Sequence, residues 1–478
     1  MKAKKIMALI MAAAMAVPMA ACGGAKEAET AASGKTDNET KAPVEDEDTK
    51  KAEETKENKE DKKDVKVPEF EKTATIEETV MVDEDNVKIT ATSLEYSGYS
   101  ADLNITIENN SDKNLKFISG SLGYSCNEIN GYMFSGGYLN EEVEAGKKCN
   151  ASISFSTDEL LAYGITELAD IKVGIQISDD DYNRTYSGPR QVKTSAADGY
   201  DYSKDTYFEG VENGTLAALG QATVDYYSDA ELYSQNGVRI ISEALLTNSD
   251  GDKSLFVEVV NDSESSVEGV IGNLVVNDIM VSYGSYTVGT INPGAKSVLS
   301  VDLSSTMDEA CFELLKISDL GKISFKFSQK DDMYNDIAAP GVIEVAVSDK
   351  TVSPDTTGEE VYNEGGIKII SKGAVKDAYE SSDDVHLVFL VENGTSTDID
   401  ISDSWDSFSV NGYMIDYSAS GTCAYAGKWA VIDVQIWGST LEENNISGVD
   451  DITSAEITFE LEDADGNDIA EPKVSVNY

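Results

Sequence analysis

Gly366-Ile367-Lys368-Ile369-Ile370-Ser371, then Leu387-Val388-Phe389-Leu390-Val391-Glu392-Asn393, a turn at Val410-Asn411-Gly412-Tyr413-Met414 and another at Ala426-Gly427-Lys428 form the stretch that decides the fold. It lies within residues 361–463, and its apolar residues mostly alternate, the period of strands with one buried face. The same series recurs upstream. Val87-Lys88-Ile89-Thr90, residues 103–109, Asn130-Gly131-Tyr132-Met133 and Ala145-Gly146-Lys147 make a first copy. Gly237-Val238-Arg239-Ile240-Ile241-Ser242, residues 255–261, Val276-Asn277-Asp278-Ile279-Met280 and Pro293-Gly294-Ala295-Lys296 make a second. Asp278 stands where the other copies have glycine, and aspartate also tolerates the left-handed backbone that such turns require.

The opening strands are 151 residues apart between Val87 and Val238 and 129 apart between Val238 and Ile367. That period is far longer than the roughly 20–50 residues of a solenoid unit, so each copy is a domain expected to close its own core. The expected divisions are 74–196, 222–349 and 350–478, with 197–221 as a connecting segment whose Tyr200, Tyr202, Tyr207 and Phe208 pack on a neighbour or bind a partner. Ser156 with Glu159, Thr306 with Glu309, and Ser439 with Glu442 have capping-box spacing and predict one short helix per copy. About seven strands per copy predict an all-β protein of three tandem immunoglobulin-like sandwiches; a small barrel is the alternative.

The 478 residues carry 88 Asp plus Glu against 37 Lys plus Arg, a formal net charge of −51. Such a surface repels phosphate backbones, which argues against nucleic acid as a partner. Residues 1–21 have Lys2, Lys4 and Lys5, an apolar core and small residues, the pattern of a signal peptide. Met19-Ala20-Ala21-Cys22-Gly23 resembles the bacterial lipoprotein lipobox, with Met19 where Leu is commoner; the resemblance implies diacylation of Cys22 and a lipid anchor on the outer face of the cell membrane. Residues 22–73 are mostly Ala, Lys, Glu, Asp and Thr, a composition that cannot bury a core and predicts a disordered tether.

Taken together, lipobox, acidic tether and tandem copies resemble the lipoproteins of Gram-positive bacteria that carry immunoglobulin-like domains of unknown function. The resemblance implies an extracytoplasmic, cell-associated protein and supplies no catalytic residue. The chain has one histidine, His386, in a predicted strand, which argues against a triad or a His-based zinc site. Cys126 and Cys149 flank the first Asn-Gly turn and are candidates for a bridge, whereas Cys311 and Cys423 have no partner in their own copies. Asp463, Asp465, Asn467 and Asp468 resemble part of a calcium loop, but the glycine is misplaced, and a hairpin turn at Asp465-Gly466 accounts for them better. Asp179-Asp180-Asp181 and Asp331-Asp332 read as solvated loops. Neither a metal nor a cofactor is implied.

Trp405, Trp429 and Trp437 all fall in the third copy, making it the candidate ligand site. On a regular strand Trp429 and Trp437 share the face opposite Ala430, Ile432, Val434 and Ile436, roughly 26 Å apart, a spacing suited to an extended glycan. A strand covered on both faces is the alternative. The expected function is a non-enzymatic, lipid-anchored interaction module of the cell envelope, with glycan binding through the third copy or a carboxylate-based hydrolase as alternatives.

Overall fold

The computed structural model describes residues 65–119, 127–303, 309–317, 319–379 and 381–478. The signal peptide, Cys22, nearly all of the tether, Cys126 and Thr306 lie outside the described residues. Residues 66–478 belong to one compact unit.

The protein is all-β, and each copy is a pair of sheets facing each other. In the first copy Thr79–Glu84, Val87–Tyr96, Ser100–Asn109 and Lys148–Ser156 lie side by side in that order. Facing them run Tyr132–Phe134, Asn127–Ile129, Asp170–Asp179, Leu115–Ser119 and Leu139–Val143. Ser100–Asn109 alternates buried and half-buried along its whole length, as the period-two pattern requires. Leu103, Ile105 and Ile107 meet Phe117, Ile171, Val173 and Ile175 in one core. The second copy repeats the arrangement with Thr223–Ser228, Val238–Thr247, Lys253–Asn261 and Lys296–Asp302 in one sheet and Ile279–Ile291, Val267–Val276, Lys322–Lys330 and Gly341–Ala346 in the other. In the third, Glu359–Glu364, Ile367–Lys376, Val385–Asn393 and Trp429–Ile436 face a sheet built around Ser454–Asp463.

Sheets do not stop at copy boundaries. The second sheet of copy one continues edge to edge into the first sheet of copy two, making eleven strands. The second sheet of copy two continues likewise into the first sheet of copy three, making nine. Each of the three apolar clusters is centred on one copy but borrows from a neighbouring one: Met133 of the first copy belongs to the second core and Met280 of the second copy to the third.

One buried side chain closes each copy. Asn109, Asn261 and Asn393 end the central strand with no exposed surface. The Asn393 amide donates to the carbonyls of Thr397 (2.8 Å) and Ala424 (2.7 Å), and its oxygen accepts from the Thr395 amide (2.9 Å) and hydroxyl (2.7 Å). Asn109 and Asn261 make the same set with Ser111 and Ser263. The side chain thus supplies partners for backbone groups in two loops that no strand can pair.

The capping expectation holds for helix Thr157–Ala162, where the Glu159 amide donates to the Ser156 hydroxyl. Helix Glu309–Leu315 forms in the second copy. In the third copy the expectation fails: helix Gly438–Glu443 begins one residue before Ser439, which lies inside it. The free Gly438 amide is met from another loop, by the Asp384 carboxylate at 2.9 Å. The connecting segment folds into helices Thr206–Glu212 and Thr215–Gly220 and puts Tyr207, Val211 and Leu216 into the first core, leaving Tyr202 exposed.

Candidate functional site

Three regions gather chemistry-bearing side chains: the two junctions between copies, a Cys-His-Asp cluster beside the second junction, and the exposed aromatics of the third copy.

Each junction is made by the hairpin after the Asn-Gly or Asn-Asp turn. Asn130 and Gly131, Asn277 and Asp278, and Asn411 and Gly412 all have positive φ, as a type I′ turn demands. At the first junction Tyr132 pairs in parallel with Lys296, whose amide donates to the Gly131 carbonyl at 2.8 Å. At the second, Ile279 and Met280 pair with Trp429 and Ala430, and the Trp429 amide donates to the Asp278 carbonyl at 3.0 Å. The register is the same in both. The Lys296 ammonium lies 5.3 Å from the Tyr132 ring centre, 2.9 Å from Asp205 and 3.4 Å from Glu258. Glu258 has no exposed surface. Its burial, then the neighbouring Asp205 charge, push its carboxyl well above the usual range. Asp205 is also raised by burial, but the Phe208 amide and the Lys296 ammonium outweigh this and hold it low. The Lys428 ammonium bonds Asp278, which also takes Lys322 at 2.8 Å.

Among the described residues, one group of three metal-capable side chains converges: Cys311 of the second copy with His386 and Asp433 of the third, their ligand atoms within 4.8 Å of one another. His386 Nδ1 lies 2.9 Å from both Asp433 oxygens, and Cys311 Sγ lies 3.9 Å from one of them. Cys311 is fully buried and His386 nearly so. Hydrogen bonds from imidazole and thiol to the carboxylate account for this geometry, which ties helix Glu309–Leu315 to the strand pair Val385–Asn393 and Trp429–Ile436. His386 is a strand residue, as expected, but with a specific partner.

The three tryptophans do not form one platform. Trp405 is 90% exposed in a loop; Trp437 is 40% exposed just before helix Gly438–Glu443. Trp429 is half-buried at the second junction, against the second core. Between Trp429 and Trp437 on the shared strand face, Val431 belongs to the second core and Asp433 is held by His386. Next to Trp437 in sequence, an open hollow of about 560 Å³ is lined by Asp377, Tyr379, Asp383, Asp384, Ser439 and Glu442 among others. Lys376 and the Gly438 amide already engage Asp383 and Asp384.

The acidic loops are turns. Asp179, Asp331 and Asp463 each accept from the backbone and side-chain amides of an asparagine four residues on, Asn183, Asn335 and Asn467. Those amides hold all three carboxyls below their ordinary range. Cys149 carries a free thiol.

Sequence reasoning missed the junctions. The available signal was a pair of adjacent apolar residues after each turn, Tyr132-Met133, Ile279-Met280 and Tyr413-Met414. Adjacent strand residues point to opposite faces, so a hairpin with one wet face would carry a polar residue at one of them.

No family model matches the chain. No curated protein matches it either. Among solved structures, a bacterial ice-binding adhesin of 1.5 MDa is 10% identical over 79% of this chain and 90% of that one, with a TM-score of 0.14. An exo-chitosanase of Amycolatopsis orientalis is 10% identical over 49% of this chain and 26% of its own, TM-score 0.16. A β-D-mannosidase of Dictyoglomus thermophilum is 10% identical over 58% and 25%, TM-score 0.14. At these TM-scores the likeness carries no argument about activity, ligand or partner.

Proposed function

We propose that the protein is a lipid-anchored, extracytoplasmic binding module without catalytic activity, in which the joined sandwiches carry the third copy as the contact-making end. The observation that carries this reading is Trp405, 90% exposed, with Tyr379 at 75% and Trp437 at 40% in the same copy. Large apolar side chains left in water cost about 1.5–3 kcal/mol each relative to burial, so an indole that exposed is available for a partner. Stacking on an indole face suits a sugar ring, which supports cell-wall glycan as the ligand class. Among the described residues no helix is long and apolar enough to cross a membrane, and the proposed attachment is through the Cys22 lipid.

Two measurements test the reading. Cys22→Ser should move the protein from the detergent phase to the aqueous phase; unchanged partitioning would refute the anchor. Titration with soluble peptidoglycan fragments should change tryptophan emission in the wild type and not in Trp405→Ala, and no change in the wild type would refute glycan binding.

A further inference from the structure

The two internal junctions define what each hairpin needs, and one hairpin lacks it. Met133 and Met280 are 5% and 1% exposed because each enters the core of the next copy. Met414, at the same place after the third turn, is 62% exposed, and Tyr413 is 53% exposed, whereas its counterparts Tyr132 and Ile279 are buried. At the other end of the molecule, strand Lys148–Ser156 is the outer strand of its sheet. Its counterparts in copies two and three, Lys296–Asp302 and Trp429–Ile436, are the strands on which a hairpin docks. Lys147 and Lys148 are exposed and Cys149 half-buried, whereas Ala295 and Ser297 in the second copy and Ala430 in the third are buried.

We propose that the third-copy hairpin of one molecule docks on the start of strand Lys148–Ser156 of a second copy of this chain, in the register of the internal junctions. The Lys148 amide then donates to the Gly412 carbonyl, as that of Lys296 does to Gly131. The side chains identify the partner. The first junction sets a tyrosine ring under a lysine, Tyr132 under Lys296; the second sets Ile279 against Trp429. The free ends are a tyrosine, Tyr413, and a lysine, Lys148, which reproduce the first pairing. Seven strands would join four, the same count of eleven as the sheet across the first junction. Because donor and acceptor lie on different parts of the chain, the contact is heterologous and leaves each added molecule with a free hairpin for the next, so it builds a head-to-tail series rather than an isologous dimer. An outer strand with unpaired amides and carbonyls is the ordinary template for such addition. This assigns a partner that the binding-module reading does not name, and it stands whether or not the third copy also binds glycan.

The register places Met414 opposite Cys149, as Met280 lies opposite Ala430. Paired residues on neighbouring parallel strands lie about 5 Å apart at Cα, within disulfide reach. The test uses the full chain carrying Cys22→Ser, with and without Met414→Cys, treated with diamide. Met414→Cys should give a ladder of dimer, trimer and higher species on non-reducing gels, and adding Cys149→Ser should abolish it. Without oxidant, the weight-average mass in sedimentation equilibrium should rise with concentration, and Met414→Asp should return it to the monomer. Met414 is exposed, so neither variant should shift the melting temperature. A chain that stays monomeric under both conditions, cross-links that survive Cys149→Ser, or a ladder that stops at the dimer would overturn the proposal.

Discussion

Replacing Asn393 by alanine should unfold the third copy at far lower denaturant than the wild type. The side chain is fully buried and makes four hydrogen bonds, two donated to backbone carbonyls and two accepted from Thr395. At about 1 kcal/mol net for each bond, the loss is about 4 kcal/mol. The Thr395 groups can recover water because that residue lies near the surface, but Ala424 is buried and its carbonyl cannot, which keeps the loss from falling much lower. Such a loss is a large fraction of the roughly 5–15 kcal/mol that holds an ordinary domain together. Urea unfolding followed by tryptophan emission reads the effect, since Trp405, Trp429 and Trp437 all lie in the third copy. With a slope of about 2 kcal/mol per molar, the midpoint should fall by about 2 M. Asn393→Asp keeps an acceptor for Thr395 but sets a carboxylate against the Thr397 and Ala424 carbonyls. It should be at least as damaging at neutral pH and partly recover in acid, where the protonated carboxyl donates one bond. Its folded-state pKa is raised, so the stability it retains is present at low pH and lost as pH rises. A midpoint shift below about half a molar for Asn393→Ala would refute the account of this residue as the closure of the copy.

Three further outcomes are expected. Burial lifts the Glu159 carboxyl to about 7, so the native state holds a proton that the unfolded chain releases near pH 4.5; stability from this group is present below that value and falls by up to about 1.4 kcal/mol per pH unit up to pH 7, and thermal melts from pH 4 to 8 should show the wild-type slope flattened in Glu159→Gln. Lys296→Met removes the cation that lies between Asp205 and Glu258, which pushes the Glu258 carboxyl up further and should lower the melting temperature at neutral pH; an unchanged melting temperature would contradict the ion pairing. Met280→Ala removes a side chain that belongs to the second copy in sequence and to the third core in space, so it should cost about 2–5 kcal/mol in the transition reported by the third-copy tryptophans, and an unchanged transition would show that the junction does not contribute to that core.

Strands, turns and repeats were legible because each has a local sequence signature. Leu103, Ile105 and Ile107 alternate, and Asn411-Gly412 takes the left-handed backbone that a two-residue hairpin needs. The strand-end asparagines were visible as a recurring Glu-Asn or Val-Asn, but their role depends on loops that come together only in the fold. Ser439 misled because its spacing to Glu442 satisfies the capping rule, whereas the helix starts one residue earlier, at Gly438, whose amide is met by Asp384, 54 residues away. The acidic loops were read correctly as turns at Asp465-Gly466 and as solvated loops elsewhere. The shared Asp-to-Asn spacing of four residues, at Asp179, Asp331 and Asp463, was present in the sequence and went unread. Trp429 was placed on the correct strand face, but periodicity reports only that a face exists, not what covers it. Helix Glu309–Leu315 meets that face where Cys311 reaches Asp433, and it comes from another copy.

Tandem copies with the same hairpin and the same docking strand face a matching problem, since any hairpin could dock on any copy of the strand. The junction side chains answer it. Tyr132 accepts the Lys296 ammonium at its ring face, and the Asp205 and Glu258 carboxylates complete the cation's surroundings. Ile279 pairs with Trp429, which packs against the second core that Ile279 belongs to, and Asp278 in the turn takes Lys428, one residue before Trp429. Exchanging the two would set Lys296 against Ile279, an aliphatic side chain in place of the Tyr132 ring, and would set Gly131 opposite Lys428, with no carboxylate for that ammonium. Leaving one charged group unsatisfied at a closed contact costs about 1–3 kcal/mol or more, enough to bias pairing about fivefold or more per mismatch. Discrimination therefore rests on the penalty for the wrong partner as much as on attraction to the right one. Tyr413 and Lys148 carry the chemistry of the first pairing and not of the second, so the rule that orders the copies inside one chain also specifies which surface of another chain the exposed hairpin fits.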